Sequence, residues 1–338
     1  MLATLAFPES GDLHAARRQH ILRVRSADDL RRALRTARER VLALDLSALD
    51  RMLRLDGERG QIELQAAAPW SSVEHYLSER GALTAPGMLA SGLPVSVAEA
   101  VAENTAGPDG TPMVEHVEAI ALVTPDGELR RADRLMNPNL FRLAIGGHGL
   151  VGVLYSVTLR VDSMLRAAER VQAPVELDLS PTGGAGGVCR VAEFLVPPEQ
   201  LERVLAGFKE LAAERRIRLQ KVIVRKLRPE HETVLCWATR EWAGVTLRYW
   251  TRPTLGASVH AAEIQRLLLD TVLAHGGSFP IGVAQLATPA QLDACYPKLA
   301  EFVAEKRRYD PAERLQNAWY RRVAGSLRGD AFSSQATE

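Results

Sequence analysis

The sequence predicts an α+β protein built in two parts, and three observations carry that reading. Strand-like and helix-like periodicities alternate through the first half of the chain. A glycine-rich stretch, Ser180-Pro-Thr-Gly-Gly-Ala-Gly-Gly187, then interrupts both patterns. Beyond it the elements run β-α-β-β-α-β, the order of a ferredoxin-like sheet with two helices on one face. With 338 residues, of which 46% are hydrophobic and 25% charged, the chain is long enough for two cores.

In the first half, His20 to Arg25 reads as a strand, and Ser26-Ala-Asp-Asp29 opens a helix with an apolar stripe of Leu30, Leu34 and Ala37. Val41 to Leu46 and Gln61 to Ala66 read as strands. Trp70 to Arg80 reads as a helix that Gly81 terminates. A loop punctuated by glycine and proline, Ala85 to Pro94, precedes a short helix from Ser96 to Glu103. Val117 to Val123, the turn Thr124-Pro-Asp-Gly127 and Glu128 to Arg131 form a hairpin. Asn137-Pro138 starts a helix to Ile145, with Asn137 as its cap and Pro138 in its first turn.

The glycines that follow, Gly147-x-Gly149-x-x-Gly152, have the spacing of a dinucleotide-binding turn. Such a turn requires a strand before it, a helix after it and an acidic residue about 20 positions further on. Here a helix precedes it, and Val153, Tyr155, Val157, Leu159 and Val161 mark a strand after it. Asp162 lies too close to Gly152 to serve as the ribose ligand. A nicotinamide site of that kind is therefore not expected.

In the second half, Cys189 to Val196 reads as strand, Pro198 to Arg215 as helix, and Leu219 to Lys226 and Gly244 to Thr251 as strands. Ala257 to His275 reads as helix and Ser278 to Ala284 as a last strand. A terminal helix from Pro289 to Lys306 is stopped by Asp310-Pro311. Trp237, Trp242, Tyr249 and Trp250 gather around this sheet, where core or interface packing is their expected role.

Composition narrows the function classes. A net charge of +1 gives no electrostatic case for nucleic acid or an anionic membrane surface. Arg31-Arg32, Arg215-Arg216 and Lys306-Arg307-Arg308 are expected to be solvated helix faces. Cys189, Cys236 and Cys295 are far apart and lack histidines at ligand spacing, so neither a metal site nor a disulfide framework is expected. No run reaches the length of a membrane span, and the N-terminus lacks the apolar core of a secretion signal, so a cytoplasmic location is expected. There is no GxSxG elbow, GxxxxGK[ST] loop or HExxH motif. His116 and His148 are the most site-like histidines, although a loop histidine is more often a structural hydrogen bonder.

Taken in order, Pro86-Gly87, Ser96-Val97, Gly107, the Thr-Pro-Asp-Gly hairpin, Asn137-Pro-Asn-Leu-Phe141 and Gly146-Gly-His-Gly-Leu-Val-Gly-Val153 resemble the FAD-linked oxidases of the vanillyl-alcohol oxidase and para-cresol methylhydroxylase (PCMH) type. Gly276-Gly277, Tyr296-Pro297, Arg308-x-Asp310-Pro311 and Arg321-Arg322 add a narrower likeness to the decaprenylphosphoryl-ribose oxidase branch. The resemblance implies a PCMH-type FAD-binding fold of two subdomains over residues 1–165, a linker over 166–188, a ferredoxin-like substrate domain with C-terminal helices over 189–325, and a tail over 326–338. It implies FAD as cofactor, with Pro86, Gly87, Ser96, Gly107, Gly149, Gly152 and Val153 as the residues lining its groove. Glycine loops suit that task, because they admit the close backbone approach and N–H donation that a pyrophosphate needs.

The sequence also departs from that family. Relatives carry a glycine-rich phosphate loop before the Asp-Leu-Ser strand, whereas Arg38-Glu-Arg40 here runs straight into Val41 to Ser47. Ala98-Glu99 stand where relatives have Gly-Gly, and Ala106 where they carry a histidine. Val283 replaces the lysine that the narrower branch places beside the flavin, and Pro280 replaces its aromatic. The stretch between Val161 and Cys189 is also shorter than in relatives.

Two functions follow. One is a divergent FAD-linked oxidoreductase that moves hydride from an alcohol carbon of a small-molecule substrate to flavin. The other is a flavin-free relative acting as a scaffold, a complex subunit or a binding protein for another ligand. No catalytic residue is assigned. A second chain, whether another copy or a partner subunit, remains open as a supplier of the missing phosphate loop, and an apolar edge of the second sheet is open to dimerisation.

Overall fold

A computed structural model describes residues 21–36, 43–83, 89, 93–171, 173–178, 188–215, 217–251, 255–282 and 287–324. The chain divides into two compact units. The first joins three stretches, Met1–Val171, Glu230–Cys236 and Lys298–Glu338, and the second comprises Gln172–Pro229 and Trp237–Pro297.

The first unit opens with β1 (Ile21–Arg23), α1 (Ala27–Thr36) and β2 (Ala43–Asp45), with β1 and β2 pairing in parallel. Ser26 starts α1 as expected, its Oγ accepting from the Asp29 N–H at 3.1 Å. Leu30 and Leu34 bury the stripe of α1 in a core with Val24, Leu44, Leu46, Leu49, Val123 and Val153. Each such side chain contributes about 1.5–3 kcal/mol on leaving water. The chain's last part joins this core through Leu315, while Arg314 donates to the carbonyls of Leu34 and Pro125.

An antiparallel five-stranded sheet follows, comprising β3 (Met52–Asp56), β4 (Gln61–Gln65), β5 (Val117–Val123), β6 (Leu129–Asp133) and β7 (Val153–Arg160), in the order β3-β4-β7-β5-β6. Around it lie α2 (Trp70–Glu79), α3 (Val97–Ala102), α4 (Pro138–Ala144) and α5 (Val161–Glu169). The central strand β7 is buried along most of its length, not on alternate residues. Its alternation survives as polarity, because Ser156 is buried with its hydroxyl on Glu63 Oε1 at 3.1 Å.

Several local expectations are corrected. Strand β3, helix α5 and a further strand, β8 (Val175–Asp178), form where no element is expected. Val161 belongs to α5 and not to β7, its N–H donating to the Gly60 carbonyl at 2.8 Å. Asn137 does not cap α4 with its side chain: it adopts φ 52°, and its amide donates back to the Arg131 carbonyl at 2.7 Å.

The second unit holds an antiparallel sheet in the order β8-β10-β11-β9, with β9 (Val188–Val196), β10 (Arg218–Leu227) and β11 (Trp242–Thr251). Helices α6 (Leu201–Glu214) and α7 (Leu255–Ala274) belong to this unit, and Phe208 of α6 meets Phe194 of β9 with ring centroids 5.4 Å apart. Thus β9-α6-β10-β11-α7 appear in the order expected from sequence. The expected last strand is reduced, among the described residues, to one bridge between Ser278 and Leu195. Gly276, at φ 71°, and Gly277 make the turn into it; a Cβ on Gly277 would lie 2.4 Å from Val272 Cγ1. The terminal helix is two helices, α8 (Pro289–Cys295) in the second unit and α9 (Leu299–Tyr309) in the first, because Pro297 cannot donate into a continuous ladder. Asp310 then ends α9 as its C-cap.

Candidate cofactor-binding site

Short helix α3 organises the residues singled out in the first unit. Ser96 caps its start, and the loop Gly146 to Gly149 is bonded onto its end. Six residues separate the two, a rise of about 9 Å.

At the start, Ser96-x-x-Glu99 forms a full capping box. Ser96 Oγ accepts from the Glu99 N–H at 3.4 Å, and Glu99 Oε2 accepts from the Ser96 N–H at 3.3 Å. The two remaining leading donors are also used, Val97 N–H on the Ala68 carbonyl at 3.1 Å and Ala98 N–H on the Ala66 carbonyl at 2.7 Å. All three first-turn N–H groups are therefore spent within the protein. Glu99 adds its carboxylate at the positive end of the helix, where it stabilises the helix and repels a second anion. This end of α3 does not fit a phosphate.

The other end is built differently. Gly146 N–H donates to the Val101 carbonyl at 3.0 Å and His148 N–H to the Ala102 carbonyl at 2.9 Å, which satisfies the last carbonyls of α3. Gly146, His148 and Gly149 all lie in the left-handed region, at φ 71°, 51° and 73°. Gly147 is glycine for want of space, since a Cβ there would sit 2.0 Å from the Leu143 carbonyl oxygen. A left-handed glycine at position 149 allows the close backbone approach that a planar ligand requires.

The other described candidates each have a local packing role. Gly107 heads a turn in which its N–H donates to the Thr111 carbonyl at 2.8 Å; a Cβ there would meet that oxygen at 3.5 Å and His116 Nε2 at 3.9 Å. Gly152 faces the sheet, where a Cβ would stand 2.7 Å from Leu122 Cδ1 and 3.0 Å from the Val123 carbonyl oxygen. Val153 is buried in the core with Leu30 and Leu44. Pro86, Gly87 and Val283 lie outside the described residues.

Both site-like histidines are neutral at neutral pH. Burial pushes His116 down to about 4; Arg160 and Arg170 push the same way and Asp109 opposes them. Its Nδ1 shares a hydrogen bond with Ser163 Oγ at 3.0 Å. The carboxyl of Asp109 is held below its ordinary value despite burial, by hydrogen bonds from Thr111 and Arg170, the Arg170 Nη2 contact being 3.0 Å. His148 is half-buried with its ring edge-on to Trp319, centroids 5.9 Å apart, and burial pushes it down to about 4.

Two polar networks were not anticipated from sequence. Buried Asn104, at φ 49°, donates to Glu230 Oε1 at 3.2 Å, and Glu230 Oε2 accepts from the N–H groups of Glu232 and Thr233 at 2.7 and 3.0 Å. Buried Lys306 pairs with buried Asp310 at 2.7 Å, which corrects the expectation of a solvated Lys306-Arg307-Arg308 face. Arg308, on the exposed side, pairs with Glu305 as a solvated residue would. The one sequence signal for the pair was the Asp310-Pro311 stop. Among the described residues, no group of histidine, cysteine or acidic side chains is arranged to hold a metal ion, and no helix is long and apolar enough to cross a membrane.

Residues 37–133 match the family model of the FAD binding domain. The match takes in β2 to β6, with Ser96 and Gly107, and ends before the Gly146 loop. It relates this part of the chain to the FAD-linked oxidases broadly and to flavin-linked oxidoreductases as a functional class. A search of curated proteins finds no match.

Proposed function

We propose that the chain is a divergent flavin-linked oxidoreductase that takes hydride from an alcohol carbon of a small-molecule substrate. In this reading residues 1–165 derive from a PCMH-type FAD-binding domain, residues 166–188 link it onward, and residues 189–325 form a ferredoxin-like substrate domain. Within this reading we place the chain near the decaprenylphosphoryl-ribose oxidase branch, on the C-terminal residues named above. The observation that carries the reading is the match of residues 37–133 to the FAD binding domain.

FAD, when bound, supplies the hydride acceptor, and the chain supplies position and exclusion of water. The left-handed backbone at Gly149 is suited to a ring lying against it. Val97, Ala98 and Glu99 have no N–H to give to the pyrophosphate, so its contacts fall to other residues or to a second chain, a further copy or a partner subunit. The test is the visible spectrum of the purified protein together with its thermal stability on adding FAD. A flavin band, or a saturable rise in Tm, supports the reading.

A second reading is favoured by the spent donors of α3: a flavin-free relative that keeps the fold as a scaffold, a complex subunit or a binding protein for another ligand. A colourless protein whose Tm ignores FAD selects it.

A further inference from the structure

Strand β9 lies at one edge of the second unit's sheet, with β11 on one side and, among the described residues, no strand on the other. Along an antiparallel strand the backbone groups of successive residues face the two sides alternately. Leu195 exchanges both its bonds with Ser278 at 2.9 and 2.7 Å, on the side away from β11. By alternation Glu193, Val191 and Cys189 turn their N–H and C=O groups the same way. Among the described residues only the Val191 carbonyl is engaged there, approached by Gln265 Nε2 at 3.4 Å. The side chains of this stretch are open too: Cys189 and Glu193 are exposed, and Val191 is 49% exposed.

Other edges carry protection against pairing. Beside β6 the following turn folds back, Asp133 N–H donating to the Met136 carbonyl at 2.8 Å and Asn137 Nδ2 to the Arg131 carbonyl at 2.7 Å. Strand β8 carries Glu176 and Asp178, so a two-fold axis centred on Glu176, Leu177 or Asp178 would set acid opposite acid. The stretch of β9 from residue 189 to 193 has no lysine, proline or bulge, the devices that keep natural edges apart.

Pairing of β9 with itself has one favourable register. A two-fold axis at Val191 sets Val191 opposite Val191, Cys189 opposite Glu193 and Arg190 opposite Ala192, with no like charges facing each other. Every outward residue of the stretch then exchanges both its bonds with its opposite number. An axis at Arg190 would oppose arginine to arginine, and one at Glu193 glutamate to glutamate. An axis at Ala192 would call on Leu195, which Ser278 already holds.

We infer that residues 189–193 form a homodimer interface, in which β9 pairs antiparallel with β9 of a second copy of this chain about a two-fold axis at Val191. The occupant is a second copy because the stretch complements itself in charge and in register. The interface goes beyond the flavin reading and stands whether or not FAD is bound.

The experiment is sedimentation velocity of the full chain under reducing conditions from about 1 to about 100 μM, repeated for Val191→Pro and Val191→Lys. Proline at an outward edge position removes an N–H that faces solvent in the monomer, so the fold persists while pairing is blocked. Lysine is the side chain that natural edges use against pairing. The inference expects a concentration-dependent dimer, with a dissociation constant raised about tenfold or more in both variants and an unchanged circular dichroism spectrum. Register is read separately by Glu193→Cys, which on mild oxidation is expected to give a covalent dimer through Cys189 of the second copy, since hydrogen-bonded pairs stand about 5.5 Å apart at Cα. Adding Cys189→Ser to that variant is expected to abolish the link. A chain that stays monomeric across the range overturns the inference, as does a dimer that both Val191 variants leave intact, or a covalent link that survives Cys189→Ser. Should Val191→Pro not fold, Val191→Lys decides.

Discussion

The two ends of α3 solve the same problem, unpaired backbone groups at a helix terminus, in opposite ways. At the start, side chains close the helix: Ser96 and Glu99 occupy each other's N–H groups. At the end, backbone closes it: Gly146 and His148 donate to the last carbonyls, and three left-handed residues fold the loop back. One helix thus opens on a self-sufficient capping box and closes on a glycine loop whose backbone is left-handed at three residues.

The largest effect is expected at the glycine end. Gly147→Ala places a Cβ against the Leu143 carbonyl oxygen, 2.0 Å away, which backbone cannot accommodate without shifting. A loss of about 3 kcal/mol or more is expected, read as a fall in the urea midpoint. Wild-type stability in that variant would show the loop to be looser than described.

Acid sensitivity separates the ends next. His148 has a folded pKa of about 4 against an ordinary 6.5, so below that ordinary value the unfolded chain binds a proton that the folded chain refuses. Its contribution to stability is complete above about 6.5 and is lost as pH falls toward about 4. The span amounts to on the order of 3 kcal/mol, and His116 adds a similar term. His148→Asn, which tolerates the left-handed backbone, is expected to flatten the fall in unfolding free energy between about pH 6.5 and about pH 4. An unchanged slope would show that the folded ring takes up a proton as readily as the unfolded one.

Smaller effects follow. Gly149→Ala should cost about 1–2 kcal/mol through left-handed strain alone, and in the flavin reading it should weaken FAD retention as well. Ser96→Ala should cost about 1 kcal/mol of stability and leave FAD affinity unchanged, since this end has no donor to give. Weaker FAD binding in Ser96→Ala would break the contrast.

Much of the architecture was legible where physics is local. Ser26 and Ser96 declared helix starts, Gly81 a stop, and the helix-before, strand-after context of Gly147-x-Gly149-x-x-Gly152 set its reading apart from a nicotinamide turn. What escaped depends on distant partners. Lys306 looked like part of a solvated basic face because its partner Asp310 and its burial are tertiary facts. Residues 230–236 return to the first unit from between two strands of the second, anchored by Asn104 and Arg142, and no periodicity announces such an excursion. Strand β3 was missed because its residues are mostly exposed or half-buried and carry no alternating core face. For the candidate site, the left-handed loop was foreseeable from its glycines. The packing roles of Gly107 and Gly152 were not, because glycine serves tight packing and ligand approach equally well.

The most direct test of the central claim is titration of the purified full chain with FAD, following Tm and the visible flavin band together. The account predicts a saturable rise in Tm with co-purifying or recoverable flavin absorbance, unchanged in Ser96→Ala and reduced in Gly149→Ala. A colourless protein whose Tm does not respond to FAD at any concentration would contradict it.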